Sequence, residues 1–97
     1  MDKRDGKEGS DLTQRGLWRL MLKLPALRGR LQILAQKSMA LKELCEAYEE
    51  AAMAHERLLK EGTTRSRERA LEYGGICLEI ETDIIELVLE QSKGVPD

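Results

Sequence analysis

Apolar positions recur three and four apart along most of this chain, the period of an amphipathic helix and not the alternation of a strand. In the first such stretch Leu17, Leu20, Met21 and Leu24 share one face, while Arg15, Arg19 and Lys23 share the opposite one. Ser10 or Asp11 can cap this helix, predicted over about 12–24. Pro25 ends it, because proline disfavours the α conformation in the residue before it. Pro25 also suits the first turn of a second helix, predicted over 26–61 with a break near Lys37–Ser38. Leu27, Leu34, Leu41, Tyr48 and His55 follow a seven-residue repeat. From Leu41 onward Leu44, Ala51 and Leu58 complete a heptad stripe. Gly62-Thr63-Thr64 stops that helix, and Thr64 or Ser66 can cap a third, predicted over 66–91.

The stripe of the third helix is Ala70, Tyr73, Cys77, Ile80, Ile84 and Leu87. Laid antiparallel, the two long helices pair Leu58 with Ala70, His55 with Tyr73, and Ala51 with Cys77. Further along, Tyr48 meets Ile80, Leu44 meets Ile84, and Leu41 meets Leu87. Every layer is apolar or sets an aromatic ring against His, so a hairpin is expected. Its predicted core is Leu41, Leu44, Tyr48, Leu58, Ile80, Ile84 and Leu87. The third helix also has a second apolar face, Leu71, Leu78, Ile85 and Leu89. A helix apolar on two faces is covered on both. The cover is the N-terminal helix, a second subunit or another protein.

The expected fold is all-α: a short N-terminal amphipathic helix, then a long antiparallel helical hairpin. Docking of the N-terminal helix, or dimerisation, completes the bundle. With 97 residues, 35% of them charged and no Phe, there is room for one small helical domain, placed at 11–93. Residues 1–10 have no apolar residue after Met1 and read as a disordered tail, and 94–97 as another.

Charge divides the chain. Residues 1–42 carry ten Lys or Arg against four Asp or Glu, a net of +6, and residues 43–97 carry six against fourteen, a net of -8. From Leu12 to Lys42 there are seven basic residues and no acid. Such a segment can bind nucleic acid, lie on an anionic membrane, or dock on an acidic helix. Nucleic acid is not expected, since the chain is acidic overall with one Trp and two Tyr. A membrane surface ranks second. Docking ranks first, because the third helix has both acids and an uncovered apolar face. The predicted partner-binding residues are Arg15, Leu17, Trp18, Arg19, Leu20, Met21, Lys23 and Leu24 on the first helix. On the third helix they are Leu71, Leu78, Ile85 and Leu89. The basic face should lie near Glu72, Glu79 and Glu86, and Trp18 should be partly buried.

Candidate chemistry is sparse. Cys45, Cys77 and His55 are the only soft metal ligands, fewer than the four a structural zinc wants. The hairpin register staggers the two cysteines too far for a disulfide, so both are expected as free thiols in the core. Gly74-Gly75 follows no strand and precedes no Lys-Ser/Thr, so close approach of another helix explains it better than a phosphate loop. Glu72, Glu79, Asp83, Glu86 and Glu90 read as a solvated face. With no Ser/His/Asp set and no nucleotide fingerprint, no catalytic, cofactor-binding or metal-binding residue is expected, and the chain is not expected to be an enzyme. No apolar run approaches the roughly 18 residues of a membrane span. The first residues lack the apolar core of a signal peptide, so the expected location is cytoplasmic.

LKELCEAYEEA, Leu41 to Ala51, and EYGGICLEIETDIIELVL, Glu72 to Leu89, carry a resemblance that extends from Ser38 to Gln91. The stretch resembles the YdcH-like helical hairpins, small bacterial proteins of unknown function. The chain departs from them in its basic N-terminal extension and in lacking a lysine-rich second helix. The resemblance implies a hairpin and no chemistry. The expected function is a non-catalytic protein–protein interaction module, a small bacterial helical adaptor. Its partner would be a second copy, as a homodimer, or another helical protein. A secretion-chaperone-like role, shielding an amphipathic segment of a client, is the alternative.

Overall fold

The computed structural model describes the backbone of residues 3–94 and the side chains of residues 11–91. Helix α1 spans Lys3–Lys23, a 3-10 turn spans Pro25–Leu27, and α2 spans Arg28–Ala35. Helix α3 spans Met39–Glu61 and α4 spans Thr64–Gly94. Helical backbone thus begins at Lys3, upstream of the expected caps Ser10 and Asp11, and takes in 3–10, the stretch read as a tail. Most of the 94–97 tail lies outside the described residues. No strand occurs among the described residues, and the fold is all-α as expected.

Each helix boundary has a local cause. Leu24 leaves the helical region at φ -123, ψ 65, immediately before Pro25. Leu24 N–H still donates to Leu20 O at 2.7 Å, and Pro25 opens the 3-10 turn. The predicted second helix is in fact two, separated at the Lys37–Ser38 break. There Ser38 turns extended, at φ -103 and ψ 111, and its Oγ accepts from Leu41 N–H at 3.1 Å, capping α3. Gly62 ends α3 in the left-handed region at φ 72, where a Cβ would be strained. The cap of α4 is Thr63, not Thr64 or Ser66. Thr63 Oγ1 accepts from Ser66 N–H at 3.0 Å, and Ser66 Oγ accepts from Thr63 N–H at 3.0 Å. This reciprocal pair satisfies two donors that the first turn leaves free.

Helices α3 and α4 form the antiparallel hairpin, close to the expected register. Tyr48 bonds to Glu81 and His55 abuts Gly74, each one residue beyond the Ile80 and Tyr73 partners read from the heptads. Leu41, Tyr48, Leu58, Ile80 and Ile84 are buried as predicted. Leu44 and Leu87 sit at the rim of the core, and Val88 and Cys45 occupy the interior. Ile80, Ile84 and Val88 follow one another at intervals of four, so the buried stripe of α4 runs on through Val88 and leaves Leu87 at its edge.

The N-terminal helix completes the bundle within the same chain. Leu17, Leu20 and Met21 join Leu31, Leu41, Cys45, Tyr48, Ile80, Ile84 and Val88 in one core. This differs from the docking site expected for them, the outer face of α4. The reason is Gly16. A Cβ built there would lie 1.9 Å from the Cys45 carbonyl oxygen and 2.7 Å from its carbon. With only a hydrogen at that point, α1 settles directly against the backbone of α3 and lays its leucines over the hairpin seam. Of the Gly74-Gly75 pair, where close approach of another helix was expected, only Gly74 faces one, packing against His55 of α3. A Cβ on Gly74 would reach only the His55 ring, at 3.3 Å, and one on Gly75 would meet nothing within 4 Å.

Candidate interaction surface

The charged residues of α1 reach inward to the hairpin. Arg19 Nε donates to Glu49 Oε1 at 2.6 Å, and its Nη1 and Nη2 donate to Glu56 at 2.8 and 3.3 Å. Glu49 and Glu56 lie seven apart on α3, so they share a face beside the groove that α1 fills. The hydrogen bonds that Arg19 donates to Glu56 and then Glu49 raise its pKa, and the bond from Arg19 lowers that of Glu56. Lys23 Nζ lies 3.2 Å from Glu81 Oε2, which also accepts from the Tyr48 hydroxyl at 2.5 Å. Burial, followed by the bond to Glu81, raises the Tyr48 pKa. Arg15 pairs with Asp11 on its own helix at 3.2 Å. The basic face of α1 therefore meets Glu49, Glu56 and Glu81, not the expected Glu72, Glu79 and Glu86.

These carboxylates hold the fold together. Glu49 and Glu81 are buried, and among the described residues no buried side-chain N or O atom lacks a partner. Glu49, Glu56 and Glu81 thus tie α1 to the hairpin. His55 Nδ1 is engaged with Ala70 O at 2.8 Å. Cys45 is buried and burial pushes its thiol up to about 11, while the half-buried Cys77 is also raised by burial. Among the described residues no three His, Cys, Asp or Glu side chains cluster as metal ligands would. A shallow groove of about 310 Å³ lies between Thr13, Gln14 and Leu17 of α1 and Gln32, Ala35 and Gln36 of α2. Lys42 is its one ionisable group.

The outer face of α4 is a different matter. Leu71, Leu78 and Leu89 are 76%, 61% and 46% exposed, and Ile85 is half-buried. Together with Gly75 and Thr82 they fall at alternating intervals of four and three, the spacing of a coiled-coil seam. The predicted residues Leu71, Leu78, Ile85 and Leu89 are thus together on one face, and none of the described residues of this chain covers it. The periodicity announced a covered face without naming the cover. Along one edge run Glu68, Glu72, Glu79 and Glu86, all exposed.

A second, smaller apolar patch lies on α1. Trp18 is 55% exposed and Leu22, one turn on, is 81% exposed. Trp18, expected to be partly buried, lies on the outer side of α1, because the Gly16 contact turns the Leu17–Leu20–Met21 side of the helix inward. Leu24 packs at the margin of the core. Among the described residues no helix is long and apolar enough to cross a membrane. Comparison with known protein families, with characterised proteins and with solved structures yields no match.

Proposed function

We propose that this chain is a non-catalytic protein–protein interaction module whose docking surface is the outer stripe of α4. One observation carries the reading: three exposed leucines at heptad spacing on a helix whose other face is already packed. A soluble helix rarely leaves so regular a stripe in water without a partner. A chaperone-like role is the same physical arrangement with an amphipathic client segment as the occupant.

The test is site-specific photocrosslinking in the producing cell. A photoreactive residue at position 78 should give a discrete adduct, and one at position 50 on α3 should not. Leu71→Glu should abolish the adduct. Equal labelling at both positions, or none at 78, refutes the reading.

Trp18 and Leu22 favour a second reading, docking of α1 on an anionic membrane surface. They stand exposed on a segment free of acids from Leu12 to Lys42. Trp18 fluorescence should then shift to the blue with vesicles containing phosphatidylserine. An unchanged spectrum up to millimolar lipid removes this reading.

A further inference from the structure

The stripe on α4 extends from Leu71 to Leu89, about five turns or roughly 27 Å. That length suits one more helix lying along it, and the heptad spacing suits knobs-into-holes packing. Gly75 sharpens the picture. It lies mid-helix, exposed, with open space where a Cβ would be. A glycine there weakens the helix, and no neighbour among the described residues requires it. Between Leu71 and Leu78 it leaves a gap wide enough for a partner's side chain.

The edge of the stripe states the sign of the partner. Glu72, Glu79 and Glu86 repeat every seven residues beside Leu71, Leu78 and Ile85, in the place where a coiled coil carries its flanking charges. Among the described residues none of the three takes part in an ion pair, whereas Glu49, Glu56 and Glu81 are all engaged by α1. A second copy of α4 laid antiparallel would bring two such acidic edges together, and like charges across a seam repel. From this we propose that the occupant is a basic amphipathic α-helix of a partner protein, about 18–20 residues long. Its leucine-type residues sit at intervals of three and four, and its Lys or Arg residues face Glu72, Glu79 and Glu86. This rests on α4 being the docking surface and adds the chemistry of what docks. Apolar burial supplies the affinity, and the charged edge selects the partner and sets its direction.

Two synthetic 21-residue helical peptides test it, each with leucines at the seam positions. One carries Lys at the flanks and the other Glu, and both bear a fluorescent label for anisotropy with the full chain. The Lys peptide should bind at micromolar concentration or tighter, at least tenfold more tightly than the Glu peptide. Leu78→Glu should weaken it at least tenfold. That variant adds negative charge, so attraction to the acidic surface alone would instead strengthen binding. Replacing Glu72, Glu79 and Glu86 together by Lys should reverse the preference between the peptides. Circular dichroism should leave both variants folded, since every altered side chain is exposed. Equal affinity for the two peptides overturns the proposed charge and leaves the docking surface standing. If neither peptide binds and the pure protein is monomeric by light scattering, both ideas fall. A dimer dissociated by Leu78→Glu makes the occupant a second copy and overturns the proposal.

Discussion

Replacing Gly16 with Ala adds one methyl group where α1 presses on the backbone of α3. The new Cβ would stand 1.9 Å from the Cys45 carbonyl oxygen, 2.7 Å from its carbon and 3.2 Å from its Cα. All three are backbone atoms inside α3 and cannot swing aside. Restoring an ordinary van der Waals distance of about 3.5 Å requires α1 and α3 to part by about 1.5 Å. A radial gap of about 1 Å already forfeits up to half of the contact attraction of the atoms that line it. Leu17, Leu20 and Met21 line it, and burying each such side chain is worth about 1.5–3 kcal/mol. Losing a third to a half of that costs about 2–4 kcal/mol. Better helix propensity returns about 0.5–1 kcal/mol. The expected net loss is about 2 kcal/mol, within the range of about 1–3 kcal/mol for overpacked cores. At about 4–8 °C per kcal/mol for a domain of this size, Tm should fall by about 8–16 °C. Thermal and urea unfolding followed by far-UV circular dichroism measure it. Gly75→Ala is the internal control, because the same substitution there meets nothing and should raise stability by about 0.5–1 kcal/mol. A Gly16→Ala protein that melts at or above the parent refutes the crossing of α1 on Cys45.

Ile84 is fully buried between the three long helices, so Ile84→Ala should cost about 2–5 kcal/mol in urea unfolding, and a loss below half a unit would place the seam elsewhere. Arg19→Ala strands the buried Glu49 carboxylate and should cost about 1–3 kcal/mol, while Arg19→Ala with Glu49→Leu should recover most of that. Simple additivity of the two changes would refute the coupling. Burial raises the Cys45 thiol to about 11, whereas an unfolded thiol ionises near about 8.5. Between those values the unfolded chain gives up a proton that the folded chain keeps. This contribution to stability is therefore whole below that window and is lost as pH rises through it. Tyr48, also raised, falls in the same direction. Cys45→Ala should flatten the alkaline decline without abolishing it, and an unchanged slope would contradict the burial.

The hairpin was legible because its signals are local and repeated. Heptads marked α3 and α4, and Gly62 marked the reversal between them. Ser38 marked a break, although its role as the cap of α3 needed the observed Leu41 N–H bond. The placement of α1 was not legible. An apolar stripe states that a face is covered and leaves the covering helix unnamed, so in the sequence the apolar faces of α1 and α4 stand as natural partners for each other. Gly16 carried the missing information. Amid leucines it reads as a small local penalty, and its meaning depends on the Cys45 carbonyl, twenty-nine residues away. Glu49 and Glu81 were hidden for a similar reason. A glutamate on a helix reads as solvated until a cation from another helix is known to reach it. Glu49 and Glu56, one heptad apart beside an otherwise apolar groove, were the available hint.

The Arg19 contacts also bear on the order in which the molecule comes into being. Their partners, Glu49 and Glu56, lie 30 and 37 residues downstream. At about 5–20 residues per second of synthesis, α1 precedes them by roughly 2–7 s. For that interval it has no groove to lie in, and an isolated helix of its length is marginal in water. The hairpin, by contrast, joins neighbours in sequence and can close within microseconds once α4 is available. Helix α1 is thus made before the hairpin and fastened after it. Through the seconds between, the newborn chain presents a bare basic stretch with its leucines uncovered, to the ribosome surface and to any chaperone within reach.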